Sequence, residues 1–554
     1  MVPEQPANPQ RGDREWWRDA VIYQLYPRSF ADSDGDGIGD LAGVIEHLDH
    51  LSDLGVDAIW LNPWYRSPMA DAGYDVADYR QVDPDYGDLG IAEQFIADAH
   101  ARGIRVIADI VPNHVSSEHV WFQAALRDEP GFRERFVFRP GRGPDGSEPP
   151  NNWESNFGGP AWTRIDDGSW YLHLFAPEQP DVNWDSPAVR DEFDAVLRFW
   201  FDRGIDGFRI DVAHGLVKHP ELPDASERPA GSQHTSAHPA YDQEGLHEIY
   251  RAWRAVADSY DPPRIFVAEA WVPDNERLAR YLRADELHTA FQFDFLRAPW
   301  RADALRQVID DAITQVAGVS APPTWVLANH DVTRVATRYA RTQPDHLVEP
   351  DWERARWKTE TPDLVLGRRR ARAGALLQLA LPGTAYVYQG DELGLPEYED
   401  MPDEARQDPM YRMFGFVDPG RDGCRAPLPW SGDVPPYGFS SSPAAQTWLP
   451  QPTDWAPFTV AREASDPASA LTMYRSALDL RRKLFRDAPP VEWITDAGGG
   501  VLAFRRGDNE CWVNTGPEPA QLPAGTEVVL ASDPDYTGGP IPADTAVWLI
   551  KGSR

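Results

Sequence analysis

A short run of apolar, β-branched and aromatic residues, then a turn, then an amphipathic stretch recurs along the chain. The runs are Val21–Tyr26, Ala58–Leu61, Val106–Val111, Gly207–Val212, Ile265–Glu269, Phe291–Phe295, Thr324–Ala328 and Ala385–Tyr388. Between them, Leu41–Leu54, Ala92–Arg102, Val189–Arg203 and Leu246–Ala257 show the apolar spacing of helices packed on one face. Strands alternating with helices predict a parallel α/β fold, and eight strands are the number that closes a (β/α)8 barrel. An open doubly wound sheet is the alternative that the pattern alone leaves open.

The alternation breaks twice. His114–Asp185 is rich in Pro, Gly, Trp and Asn without helical period, which predicts an irregular insertion after the third strand. Beyond about Asp487, short runs (Gly500–Arg505, Cys511–Asn514, Val528–Leu530, Val547–Ile550) are separated by turn residues, which predicts a small antiparallel β domain. The expected division is a barrel from 1–112 and 186–487, an inserted domain at 113–185, and a C-terminal β domain at 488–554. Glu397–Pro457, long and rich in Pro, Gly and Asp, is of a size that points to a functional loop.

Composition narrows the chemistry. The 554 residues carry 53 basic and 88 acidic side chains, a formal charge of −35, which repels phosphate backbones and anionic lipid. Nucleic acid and membrane surfaces are therefore excluded as partners, and a small molecule is expected. Two cysteines, Cys424 and Cys511, are too few for a disulfide scaffold or a cysteine-rich zinc module. Met1–Arg18 lacks the apolar run of a signal peptide, and Ala375–Tyr388 is too short and too broken by Gln378, Pro382 and Gly383 to span a bilayer. The expectation is a cytoplasmic protein, monomer or homodimer.

The ends of the expected strands are polar. The third ends Asp109-Ile-Val-Pro-Asn113-His114, the fourth carries Arg209-Ile-Asp211, the fifth ends at Glu269, and the seventh runs into Asn329-His330-Asp331. In a parallel barrel these termini share one rim, where reactive groups sit. A lone carboxylate at a strand end is ordinarily a helix cap or a solvated charge. Three of them, with Arg209, His114 and His330 beside them, suit paired acid and nucleophile work. A retaining glycoside hydrolase needs one ionised and one protonated carboxyl roughly 5–5.5 Å apart. Arg209, two residues before Asp211 on an extended strand, faces the same side and would hold that carboxylate ionised. No HExxH or comparable spacing supports a catalytic metal.

Together, Asp109–His114 (DIVPNH), Gly207–Asp211 (GFRID), Glu269 and Asn329–Asp331 (NHD) resemble the four signature segments of the alpha-amylase superfamily, glycoside hydrolase family 13. Gln179–Trp184 (QPDVNW) and Gly383–Leu395 (GTAYVYQGDELGL) resemble it further, the first pointing to the oligo-1,6-glucosidase and alpha-glucosidase branch. The resemblance implies a (β/α)8 barrel with a B domain inserted after strand 3 and a C-terminal antiparallel β domain. It implies Asp211 as nucleophile, Glu269 as general acid/base and Asp331 as the third carboxylate, with Arg209, His114 and His330 binding sugar. It further implies that Asp75, in Gly73–Tyr79 (GYDVADY), pairs with Arg425 to close the pocket, with Tyr79 as a stacking platform. A surface salt bridge is the alternative for that pair.

The loop Asp32-Ser-Asp34-Gly-Asp36-Gly-Ile38-Gly-Asp40 sets oxygen ligands at alternate positions, which suits a hard cation. A structural Ca2+ held by Asp32, Asp34, Asp36, Ile38 and Asp40 is expected, with a solvated acidic turn as the alternative and no organic cofactor. Segment two continues Val212-Ala213-His214 and the late loop reads Cys424 to Trp430; both depart from oligo-1,6-glucosidases and resemble actinobacterial-type alpha-glucosidases. The function implied is exo-acting, retaining hydrolysis that releases glucose from the non-reducing end of short alpha-glucosides. The alternatives are an alpha-glucosyl transferase or a sucrose isomerase using the same covalent intermediate, and linkage preference stays open.

Overall fold

A computed structural model describes residues 13–226, 238–415 and 417–551. The leader-peptide reading of Met1–Arg18 therefore falls largely outside the described residues. Eight strands, β1 (Val21–Leu25), β2 (Ala58–Leu61), β3 (Arg105–Ile110), β4 (Gly207–Ile210), β5 (Ile265–Ala268), β6 (Thr289–Gln292), β7 (Thr324–Val326) and β8 (Thr384–Tyr388), close a parallel barrel. Each pairs with its neighbours in sequence, and β8 returns to β1, Val21 facing Ala385. The open-sheet alternative is thereby overturned.

Most barrel strands are buried along their whole length, because helices cover the outside and side chains fill the inside. The interior is aromatic: Trp60, Phe291 and Tyr386 pack around the axis. Helix ends follow local chemistry. Asp88 caps Leu89–Ala101 through the Ile91 amide, and Gly55, at φ 91°, ends Leu48–Leu54. The helix expected at Leu41–Leu54 is two, broken at His47. The sixth strand stops at Gln292, and Phe293–Arg297 is helical, so Phe291–Phe295 is a strand end running into a helix.

The stretch after β3 is more ordered than its composition suggests. It holds a helix, Val120–Leu126, and a three-stranded antiparallel sheet of Phe138–Pro140, Trp162–Arg164 and Ser169–Leu172. Trp153, Trp162 and Leu172 give it a core of its own. It is laced back to the barrel rim where His114 bridges Asp181, and closed on itself where Phe136 bridges Val182.

At the C-terminus, Glu492–Trp493, Val501–Arg506, Asn509–Asn514, Thr526–Ala531 and Thr545–Lys551 form a five-stranded antiparallel sheet. Helix Leu364–Ala380 lies between this sheet and the barrel. The Trp548 indole donates to the Leu376 carbonyl at 3.1 Å, and Trp300 of the barrel donates to Asp544 at 2.7 Å. Both cysteines are buried and unbridged. Among the described residues, no helix is long and apolar enough to cross a membrane.

Candidate active site

Parallel register decides which side chains meet at the C-terminal ends of the strands. Asp109 on β3 sits opposite Arg209 on β4, and Ile210 opposite Ala268 on β5, so Asp211 and Glu269 leave adjacent strands side by side. Arg209 lies buried among three carboxyls. Its Nη1 donates to Asp109 at 2.9 Å and to Asp211 at 2.5 Å, and its Nη2 donates to Glu269 at 2.7 Å. Glu269 also accepts from the Val212 amide at 3.1 Å and the Trp271 indole at 2.9 Å. Asp109 accepts further from Tyr74 at 3.0 Å and Trp60 at 3.2 Å.

Asp331 enters from beyond β7, oriented by its own amide donating to the Asn329 side chain at 2.9 Å. Its Oδ1 accepts from Arg425 at 2.9 Å and Arg421 at 3.2 Å, and His330 Nε2 lies 3.3 Å from its Oδ2. Its side chain is 31% exposed against 9% for Asp211 and 13% for Glu269, so it faces the open cleft. That cleft encloses about 970 Å³, mouth included. Asp211, Glu269 and Asp331 all line it, with Tyr74, His114 and Trp271 among its walls.

The carboxyls differ in charge state. Burial pushes Asp211 well above the usual carboxylate range, with Glu269 and Asp109 adding to the rise and Arg209 opposing it. Burial likewise lifts Asp109 to about 7 against the pull of Arg209. Crowded beside one guanidinium, Asp109 and Asp211 therefore both favour the protonated form over a second negative charge. At Asp331 burial also pushes upward, but His330 and the charges of Arg421, Arg425 and Arg209 outweigh it, leaving the carboxylate far below its usual range.

Three acidic groups on three strand ends of an eightfold barrel thus face one cleft. The family model described as alpha amylase, catalytic domain, matches residues 24–487. The chain belongs to the alpha-amylase family. It is 38% identical over 528 residues to a probable alpha-glucosidase of Rhizobium meliloti (strain 1021), covering 89% of this chain and 87% of that one. It is 34% identical to the oligo-1,6-glucosidase of Parageobacillus thermoglucosidasius, over 85% and 84% of the two chains. Among solved structures, an alpha-glucosyl transfer enzyme superposes with a TM-score of 0.83 at 33% identity, covering 97% and 99%.

In this member of the alpha-amylase family, the expected closing pair is misplaced by one turn. Asp75 is fully buried and spends its oxygens on Ser67, the Ala70 amide and the Asp71 amide, away from Arg425. The pair that forms is Asp71–Arg421, at 2.6 Å. Arg421 also bonds Asp408 at 2.7 Å and reaches Asp331, so it ties the late loop to the carboxylate, while Arg425 bonds Asp331 and the His330 carbonyl. Tyr79 is no stacking platform. Its ring packs on Tyr65 and Phe193, and its hydroxyl is spent on the Val111 carbonyl. Tyr74 lines the cleft instead, stacked on His330 at 5.3 Å and 8°.

Both histidines lie at the cleft. His330 Nε2 meets the Tyr74 hydroxyl at 2.7 Å, and His114 Nε2 meets the Tyr74 carbonyl at 3.1 Å. Gln179 of the insertion, not singled out by itself from sequence, donates to Asp71 at 3.1 Å and also touches His114. In the first loop, carboxylate oxygens of Asp32, Asp34 and Asp40 lie within 4.8 Å of one another. Asp36 instead accepts from the Ile38 amide at 2.7 Å and is not part of that trio. Gly37, at φ +96°, runs so close to the Gln446 carbonyl that no side chain fits there.

The raised Asp211 makes a testable pH statement. Asp109→Asn removes one negative charge that raises Asp211, so Asp211 gives up its proton at lower pH. The acidic limb of the kcat/KM profile should move acidward by about one unit. An unmoved limb would contradict that repulsion.

Proposed function

We propose that this chain is an exo-acting, retaining alpha-glucosidase that releases glucose from the non-reducing end of short alpha-glucosides such as maltose or isomalto-oligosaccharides. The observation that carries the reading is Arg209 holding Asp211 and Glu269 on its two terminal nitrogens. Carboxyls seated on neighbouring nitrogens of one guanidinium suit the short spacing of a retaining pair, roughly 5–5.5 Å, better than the roughly 6.5–9.5 Å that an inverting pair keeps for its water. In the first step Glu269 gives its proton to the glycosidic oxygen as that oxygen leaves the anomeric carbon. Asp211 attacks the same carbon from the opposite face and forms a glucosyl ester. Water, surrendering a proton to Glu269, then attacks the anomeric carbon and frees Asp211. Asp331, charged throughout, stabilises the positive charge that develops on the ring.

The exo preference rests on the closed inner end. Asp71, Arg421 and Asp331 form one bonded chain there, with Arg421 over the Phe157 ring at 5.2 Å. Such a wall leaves room for a terminal glucose and supplies donors and acceptors for its hydroxyls. Arg209, His114 and His330 would serve as further sugar-binding groups. A second reading, transfer of the glucosyl group to a sugar acceptor through the same ester, is favoured by the likeness to the alpha-glucosyl transfer enzyme. The two buried, unbridged cysteines are compatible with work in the cytoplasm. Chromatography after incubation with maltose, isomaltose, sucrose and soluble starch tests the reading. Glucose from the first two as initial product is expected; mixed oligomers from starch would overturn exo action, and dominant new disaccharides would favour transfer.

The first loop fits a structural Ca2+. Asp32, Asp34 and Asp40 bring hard oxygen donors within 4.8 Å of one another, a spacing that one hard cation could bridge. Asp36, exposed at the loop surface, is raised in pKa by desolvation and by Asp34, Asp32 and Asp85, which marks the same excess of negative charge, and the Ile38 carbonyl is a further candidate donor. Chelation, or Asp34→Ala, should lower the thermal midpoint by several degrees, as a loss of roughly 1–2 kcal/mol would do. A midpoint indifferent to chelator and added Ca2+ alike would leave the loop a solvated turn.

A further inference from the structure

Glu269 is asked to give up a proton and take it back, and its two oxygens are not equivalent for that task. Arg209 Nη2 at 2.7 Å and the Val212 amide at 3.1 Å both donate to Oε2. Oε1 accepts a single hydrogen bond, from the Trp271 indole at 2.9 Å. A carboxyl oxygen has two lone pairs. Among the described residues both positions on Oε2 are therefore filled, and the vacant one belongs to Oε1.

The Oε2 side is fixed by backbone. Val212 sits at φ 46°, a left-handed conformation that a β-branched residue adopts only when its surroundings impose it. The Gly215 amide closes that turn onto the Val212 carbonyl at 2.8 Å, and the Ala213 amide ties it to the Glu269 carbonyl, also at 2.8 Å. The donor to Oε2 and the residue that carries Oε2 are thus held together.

The Oε1 side is fixed by an aromatic stack. The Trp271 ring lies flat on Phe293, with centroids 3.8 Å apart and planes 8° from parallel. Phe293 is itself buried and packs on Phe291 at 5.7 Å, in the aromatic interior of the barrel. Trp271 is half-buried and lines the cleft beside Glu269. The stack leaves the indole edge, and its N–H, aimed at Oε1.

An indole N–H donates and never accepts, so it cannot draw the proton away from Glu269. Its bond to a carboxylate is charge-assisted and stronger than its bond to the protonated acid. The bond therefore tightens while the proton departs, which is when added stabilisation lowers the barrier.

We propose that Trp271 is a positioning residue for proton transfer: its indole N–H fixes Oε1 of Glu269 as the oxygen that delivers and recovers the proton, and stabilises the carboxylate left behind. The inference rests on the glucosidase reading. In the first step the Oε1 proton passes to the glycosidic oxygen as that oxygen leaves the anomeric carbon and Asp211 forms the ester. In the second, water bonds to the anomeric carbon, the ester bond breaks, and the proton of the water returns to Oε1.

The test compares maltose, whose departing sugar needs a proton, with alpha-glucosyl fluoride, whose fluoride departs as a stable anion without one. Trp271→Phe keeps an aromatic ring on Phe293 and deletes only the N–H. Its kcat/KM should fall about tenfold on maltose, the effect of losing one charge-assisted hydrogen bond, and stay nearly unchanged on the fluoride. Benzothienylalanine at position 271, which exchanges the N–H for sulfur at equal size, makes the same comparison should Trp271→Phe fail to fold. Equal losses on the two substrates in the folded variant would show a merely structural role and overturn the proposal, as would no loss on maltose. Failure of the unaltered protein to release glucose from either substrate would sink the glucosidase reading itself, a separate result.

Discussion

A buried guanidinium among three carboxyls is the constraint on which the rest of the site depends. Arg209 is almost wholly enclosed, and its charge is tolerable there only because Asp109, Asp211 and Glu269 each accept from it. The carboxyls in turn tolerate one another only because of Arg209 and because Asp109 and Asp211 favour the protonated form. Removing Arg209 leaves buried carboxylates without a compensating charge, a penalty of about 3–5 kcal/mol. The cluster therefore fixes both the geometry and the protonation that a bond exchange at an anomeric carbon requires.

The barrel makes this cluster possible through register. Parallel pairing sets Asp109 against Arg209, and the next pair of strands delivers Asp211 and Glu269 to the same rim. Loops then finish the pocket. The stretch after β3 contributes Gln179 and Phe157, the late loop contributes Arg421 and Arg425, and both converge on Asp331 or its partners. Lys218, buried against Asp181 at 2.7 Å and Asn113 at 2.8 Å, pins the inserted segment to the strand end that carries His114. The two sides of the cleft are thereby charged differently, one rich in arginine and one carrying Glu269.

The barrel strands and the three acidic residues were legible in the sequence because each lies within or just beyond a short apolar run, where register leaves little freedom. The wall was harder to read. Asp71 and Asp75, Tyr74 and Tyr79, and Arg421 and Arg425 are like residues four or five positions apart in loops, and no periodicity says which of each pair faces the cleft. Phe291–Phe295 misled because its apolar run crosses from the end of β6 straight into a helix. The sheet of the insertion escaped notice because its strands span only three or four residues, one ending in Pro140. His214 stood out as a departure from the related glucosidases, but its stacking on Tyr241 is visible only in three dimensions.

The most direct measurement of the central claim is to trap the covalent species. A fluorinated glucosyl fluoride that reacts quickly and is released slowly should leave one glycosyl adduct, located by mass spectrometry of the digested protein. The account predicts that adduct on the peptide carrying Asp211, with regeneration of activity as it decays. An adduct on Glu269 or Asp331, or turnover with inverted anomeric configuration and no adduct at all, would contradict it.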